Sequence, residues 1–375
     1  MEVKLEEFPP TCMALGDDGW IAIGSVDGSL RLQKIDLGNK KMLDGWQFDM
    51  NASVRDVIFD HDQSQLYCVS RNKAVCSYDV ETGKRVRCIV NGTKNRPNVL
   101  CLLPPTARKH QQFATGDEEG QVRTWDFRAT RPQISEWKEQ ENDINALAMD
   151  SRHNLLSASS DGSLAAYEVR KCKLRMKSET MHSELLSLCV TDKYVYSGGI
   201  DGTIEVFKHG DYGNLLERIE SGFDMGVNQI VQLRKGLLIT GSEASSKLRL
   251  LNVMPTKRLG AVGTHGEQDE GVDKLQVSPD RTMLVSLAGM ACSLKIWPLE
   301  DIMAGIPLLR ADNIQKRKQI VKEGFFDDLL GKKKKRVTDS DEEGDEDKSD
   351  DGEEDSEDFD DEEGEESDDE ESDDD

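Results

Sequence analysis

The residues of this 375-residue chain that could do chemistry are six histidines, eight cysteines and many carboxylates. His61, His110, His153, His182, His209 and His265 have no second ligand at the short spacing a zinc or catalytic metal site uses, so they read as surface or turn histidines. Cys12, Cys68, Cys76, Cys88, Cys101, Cys172, Cys189 and Cys292 form no CxxC pair, and several sit in apolar runs. They read as buried free thiols of a reducing compartment. The neighbours Asp17 and Asp18 fall in a turn and read as solvated. No GxxxxGK[ST] phosphate loop and no GxSxG elbow occurs. The sequence supplies no nucleophile–base pair and no ligand set, and it reads as a non-catalytic protein without cofactor or metal.

Other spacings suit recognition. Trp125-Asp126-Phe127-Arg128 and Tyr167-Glu168-Val169-Arg170 share the order aromatic, acid, any residue, arginine. Arg128 and Arg170 could each bridge carboxylates or carbonyls with a planar fork. Further on, Phe325, Phe326, Leu329 and Leu330 flank Asp327 and Asp328, a short docking element that could act in cis or in trans. Lys332, Lys333, Lys334, Lys335 and Arg336 follow, five consecutive cations that read as a nuclear import signal. Thr338, Ser340, Ser349, Ser356, Ser367 and Ser372 are mostly followed closely by acids and fit an acid-directed kinase such as casein kinase two. Each phosphate would add about −1.5 to −2 charges.

The charge is concentrated. Residues 337–375 hold 27 of the 73 acids and one of the 48 cations, a net of −26 out of the total −25. Residues 1–336 therefore carry +1. The tail has too little apolar surface to offset chain entropy and is expected to be disordered. Such a polyanion repels nucleic acid and attracts basic proteins, ribosomal proteins or histones among them. The opening residues are too charged for a secretory signal, and no stretch approaches the ~18 apolar residues of a membrane span. A soluble, intracellular, monomeric protein without membrane contact is expected.

The body must position Arg128 and Arg170, and it does so by repetition. One unit recurs: a short apolar strand, a second strand ending in small residues, a tight turn, and a third alternating strand. Aligned on the turn, copies appear at Asp27-Gly28, Asn72-Lys73, Glu119-Gly120, Asp161-Gly162 and Asp201-Gly202, with weaker ones at Ser245-Ser246 and Ala291-Cys292. The spacings are 45, 47, 42, 40, 44 and 46 residues. A period of ~40–45 with four short strands per unit is that of a WD-repeat blade. The Asp-Gly pairs predict two-residue type I′ hairpins. A bulky residue packing between blades is expected six positions after each turn: Tyr78, Trp125, Tyr167, Phe207, Leu251 and Trp297, with Gln33 departing in the first blade. The Gly-His dipeptide that often opens a blade is absent, although His182 and His265 lie near its place.

The expected architecture is all-β: a seven-bladed WD-repeat β-propeller over residues 1–301, a linker with docking segment and basic cluster over 302–336, and a disordered acidic tail over 337–375. The last blade lacks an outer strand, which residues 3–8 are expected to supply.

The aromatic–acid–x–Arg runs resemble the box of WD-repeat substrate receptors of cullin–RING ubiquitin ligases. That resemblance implies adaptor binding through Trp125, Asp126, Arg128, Tyr167, Glu168 and Arg170. Taken together, the divergent propeller, the Phe325-Phe326 segment, the basic cluster and the Ser–acid tail resemble the family of WD repeat-containing protein 55. This second resemblance implies a nuclear and nucleolar scaffold that supports ribosomal RNA production and ribosome biogenesis; the cytoplasm is a further, secondary expected location. A ligase substrate receptor and a histone-binding chromatin factor are the alternatives.

Overall fold

Strands of five or six residues with apolar side chains on both faces cannot remain as isolated sheets, because both faces need cover. A closed ring of sheets gives each one two neighbours. The computed structural model describes residues 1–5, 8–39, 41–105, 112–253, 255–266 and 270–306. Within them the chain forms seven four-stranded antiparallel sheets, so it is a seven-bladed β-propeller. Blade 1 comprises Pro10–Leu15, Trp20–Ser25, Ser29–Asp36 and Lys41–Asp49, from the inside outward. Blade 3 comprises Pro97–Leu102, Gln112–Asp117, Gln121–Asp126 and Gln133–Lys138, and blade 4 runs from Ile144–Met149 to Lys173–Lys177. The inner strands pack side by side around the ring, from Pro10–Leu15 through to Lys274–Val277 and back.

Closure follows the expected plan with a shift of bounds. The outer strand of blade 7 is Glu2–Lys4, which pairs antiparallel with Ser293–Lys295. The Met1 carbonyl and the Leu5 amide extend the ladder to Ile296 (2.7 Å) and Cys292 (2.6 Å). Phe8 stands outside this strand and is 45% exposed, because Pro9 and Pro10 already lead into blade 1. After Ser293–Pro298 the chain enters a short helix, Leu299–Gly305, whose Ile302 is buried against the seam of blades 6 and 7.

Among the described residues each of the seven seams has its own apolar cluster. The residues six positions after the turns supply them: Tyr78, Trp125, Tyr167 and Phe207 are at most 1% exposed, and each faces the preceding blade. A side chain of this size contributes roughly 2–3 kcal/mol on burial. Trp125 also donates Nε1–H to Thr115 Oγ1 at 3.0 Å. In blade 7 the network is longer. Trp297 donates to Ser286 Oγ (2.9 Å), which meets His265 Nδ1 (2.8 Å), while His265 Nε2 meets Ser293 Oγ (3.0 Å). His265 is thus fully buried rather than a surface histidine, and burial pushes its imidazole down to about 4. Blade 4 uses Gln140 in the same role, bonded to Ser157 and Ser163. Blade 2 replaces the polar network by Met50, Cys68 and Tyr78.

The turn chemistry differs from expectation. Gly28, Gly120, Gly162 and Gly202 have φ of +76° to +100°, whereas the preceding Asp or Glu does not have positive φ. The glycine amide closes back on the carbonyl three residues earlier, as in Gly162 to Ser159 (3.0 Å). This is a type I turn followed by a left-handed bulge residue, not a type I′ turn. The Asp serves instead as a side-chain acceptor. Asp161 and Asp27 take the amides two residues on, at 2.8 and 3.0 Å.

The cysteines are split. Cys76 and Cys88 are direct cross-strand partners with Cα atoms 4.0 Å apart and are joined as a disulfide. The other six are free; Cys12, Cys68 and Cys189 are buried as expected, whereas Cys101 and Cys292 are half-buried and Cys172 is exposed. Burial pushes the Cys12, Cys101 and Cys189 thiols up to about 12, so they stay protonated.

Candidate protein-interaction faces

A four-stranded meander sends its connections alternately to two ends, so the ring has two faces. One carries the links from second to third strand and the links between blades; it is called here the Asp-Gly face. The other carries the links from first to second and from third to outer strand, and is called the Trp-Asp face.

Both aromatic–acid–x–Arg runs exit on the Trp-Asp face, from the adjacent blades 3 and 4. Their aromatic members are not available to a partner. Trp125 is buried beside Tyr67 and Phe113, and Tyr167 beside Trp137 at 5.0 Å between ring centroids. Asp126 accepts the Arg128 amide (3.0 Å) and Gln112 Nε2 (3.2 Å), so it shapes the turn. Glu168 pairs with Lys171 at 2.9 Å. The arginines remain: Arg128, 42% exposed with its Nε 3.6 Å from Asp126, and Arg170, exposed in the single helical turn Val169–Lys171. Arg87, on the outer strand of blade 2, donates Nη1 to the carbonyls of Phe127 (2.6 Å) and Ala129 (2.7 Å) and so anchors the turn that presents Arg128. It sits in an ordinary alternating strand, so the sequence gives no sign of this role. Arg131, Arg152, Lys171, Lys173, Lys193 and Lys208 are exposed on the same side and make this sector basic. Beneath it Asp150 joins blades 4 and 5. Burial opposes its ionisation, but bonds from Tyr212 (2.6 Å), Asn154 (2.6 and 2.7 Å) and the Arg152 amide outweigh this and hold it below the ordinary carboxylate range.

The Asp-Gly face of the same blades is acidic. Glu119, Glu141, Glu184, Asp201, Asp224 and Glu243 are exposed there, interspersed with Ile200 (42% exposed) and Met225 (61%). Arg55, Arg71, Lys94 and Arg96 are exposed on this face at blade 2 and the link that follows. Each inner strand of blades 1–5 opens with a bulge that turns one side chain toward this face: Thr11, Arg55, Asn98, Asn145 and Leu186. Thr11 bonds the Val54 carbonyl and Asn145 the Leu185 carbonyl (2.8 Å), tying each blade to the next. Asn98 donates to Asp143 at 3.0 Å. Burial raises Asp143 above the ordinary carboxylate range, with Glu118 and Asp117 adding to the effect and Arg55 opposing it.

No family model matches the chain. Curated relatives do. WD repeat-containing protein 55 of Bos taurus is 29% identical over 304 residues, covering 80% of this chain and 75% of its own length. The Arabidopsis thaliana protein of the same name is 28% identical over 76% of this chain and 78% of its own, and the Homo sapiens one 28% over 76% and 72%. The chain is similar to WD repeat-containing protein 55 over about three quarters of its length. An insect homologue, from Aedes aegypti, is 27% identical over 72% of this chain. The likeness to the family spans plants, insects and mammals, and the propeller agrees with the WD repeats in its name.

A seven-bladed ring with this likeness fits a protein-interaction scaffold. Among the described residues no three His, Cys, Asp or Glu side chains are grouped to hold a metal, and no helix is long and apolar enough to cross a membrane. The segment at 324–330, the cluster Lys332 to Arg336 and the phosphoacceptors from Thr338 to Ser372 lie outside the described residues.

Proposed function

We propose that this protein is a non-catalytic scaffold of the nucleus and nucleolus that supports ribosomal RNA production and ribosome biogenesis. The observation that carries the scaffold role is a closed ring whose two faces are oppositely charged across the same blades. The nuclear part rests on the cluster Lys332 to Arg336, and the ribosomal part on the resemblance to the WD repeat-containing protein 55 family. The acidic residues 337–375 recruit basic proteins, and the ring adds partners through its faces.

Tagged full-length protein purified from nuclei is expected to carry ribosomal-assembly proteins, and deletion of residues 338–375 to remove the basic ones. An unchanged set of basic partners after that deletion contradicts the role of the tail. Nuclear location that survives replacement of Lys332 to Arg336 by alanine contradicts the import reading.

A second reading is favoured by the pairing of Arg128 and Arg170 on one basic face of adjacent blades. Here they contact a cullin–RING adaptor. The Arg128→Ala/Arg170→Ala variant is then expected to lose the adaptor and keep the ribosomal partners. A wild-type protein that never captures the adaptor ends this reading.

A further inference from the structure

The Asp-Gly face contains an open concavity of about 520 Å³ between blades 1 and 2. Two of its walls are Arg55 and Arg71, both exposed. They arrive by different routes. Arg55 is the bulge residue of its inner strand, where blades 1 and 4 place a short polar side chain bonded to the neighbouring blade. Arg71 begins the hairpin turn of blade 2, and its amide is fixed on the Ser53 carbonyl at 2.9 Å. The backbone at both positions is held, while neither guanidinium has a hydrogen bond or ion pair among the described residues. Of the other polar walls, Thr11 is bonded to Gly24 and Val54 and Asn72 to the Ala74 amide, while Ser53 contributes its carbonyl to the Arg71 amide. Val26, 51% exposed, supplies an apolar wall. No carboxylate is among the walls; the exposed Asp27 follows Val26 in the blade 1 turn and Asp143 feels the charge of Arg55, while Glu119, Glu141, Glu184, Asp201 and Glu243 lie on the blades beyond.

We infer that this concavity binds a phosphorylated serine or threonine of a partner peptide, with Arg55 and Arg71 holding the phosphate. A phosphate monoester carries about −1.5 to −2 charges, which two guanidinium groups match and a single carboxylate would not. Each planar fork can take two phosphate oxygens. The peptide then crosses the channel mouth toward the acidic blades, so basic residues on one side of the phosphate are preferred. A polynucleotide would carry its phosphates over the same acids and be repelled there, which favours one isolated phosphate on a polypeptide. The inference rests on the reading of the ring as a scaffold and specifies one ligand for one face.

The test is fluorescence polarisation of the full-length chain with fluorescein-labelled 15-residue peptides. They carry a central phosphoserine, serine or glutamate, with basic residues on one side, on the other or on neither. A 12-nucleotide single-stranded RNA is the comparison. The phosphoserine peptide with one basic flank is expected to bind at least tenfold more tightly than its serine form. Arg55→Ala/Arg71→Ala should abolish that difference without lowering the thermal midpoint. Glu184→Lys/Asp201→Lys should remove the preference for a basic flank and keep the phosphate dependence. Equal binding of phosphoserine and serine peptides overturns the inference, and so does phosphate dependence that survives loss of both arginines. Tighter, Arg55-dependent binding of the RNA assigns the concavity to nucleic acid instead. Any of these failures leaves partner capture by the full-length protein untouched, which separates them from failure of the scaffold reading.

Discussion

Across blades 3 to 6 the two faces of the ring differ more from each other than the sequence of those blades suggests. One exposes Glu119, Glu141, Glu184, Asp201 and Glu243, the other Arg128, Arg152, Arg170, Lys193 and Lys208. The charges largely offset one another: residues 1–306 hold 37 Lys/Arg and 42 Asp/Glu, a net of −5, and the +1 of residues 1–336 includes +6 from 307–336. The meander separates them, because successive links go to opposite ends. The small net charge of the ring is a sum over two charged surfaces and does not mean an inert ring. The faces also divide the work of the repeat. The residues that give the repeat its signature, such as Trp125 and Asp161, hold the blades together, while the residues beside them face outward.

That division can be broken or sharpened by substitution. Trp125→Ala should cost about 3–5 kcal/mol, since it empties a seam and strands the Thr115 hydroxyl, whereas Arg128→Ala, three residues on, should stay within about 0.5 kcal/mol; equal losses in denaturant melts would dissolve the distinction. Gly162→Ala on the other face should cost roughly 2 kcal/mol. Its φ is +77° and the added Cβ would lie 2.7 Å from the Met181 carbonyl oxygen. His265→Gln, the residue blade 4 employs at this place, should cost about 1 kcal/mol at neutral pH and change the response to acid. The His265 imidazole is held near 4 in the fold against 6.5 ordinarily, so the unfolded chain takes up its proton first. Its contribution is complete above 6.5 and is lost as pH falls toward about 4. The variant should flatten the stability profile in that window, and an unchanged slope would show that another group titrates there. Tyr212→Phe should also cost about 1 kcal/mol. Asp150 is held below its ordinary 3.8, so stability from this bond is present at neutral pH and is lost only as pH falls below that value. Melts at pH 7 and pH 3 check both size and sign.

Much of the ring was legible because its signals are local and repeated. The turn spacing gave seven blades, and the bulky position after each turn identified Tyr78, Trp125, Tyr167 and Phe207 as seam residues, all of which are buried. Closure by the N-terminal strand was legible from the missing outer strand, although the strand is Glu2–Lys4 rather than residues 3–8. The turn type was not legible, since Asp-Gly serves a two-residue loop and a type I turn with a bulge alike, and the difference lies in the φ of the Asp. The Cys76–Cys88 pairing depends on the register between third and outer strands of one blade, which a gap of 12 residues does not reveal. His265 looked like a turn residue because its partners, Ser286 and Ser293, lie 21 and 28 residues away. The charge separation was hidden for a similar reason: residues on one face are interrupted in sequence by those on the other. For the adaptor box, spacing pointed to six residues, and the ring leaves the outward-facing role to Arg128 and Arg170.

The central claim is that the two faces engage different partners. It is tested most directly by quantitative interaction proteomics on the full-length protein in three forms: wild type, Arg128→Ala/Arg170→Ala, and Arg55→Ala/Arg71→Ala. The account predicts that each variant stays folded and nuclear and loses its own non-overlapping set of partners. Loss of the same set from both, or of none from either, would contradict it.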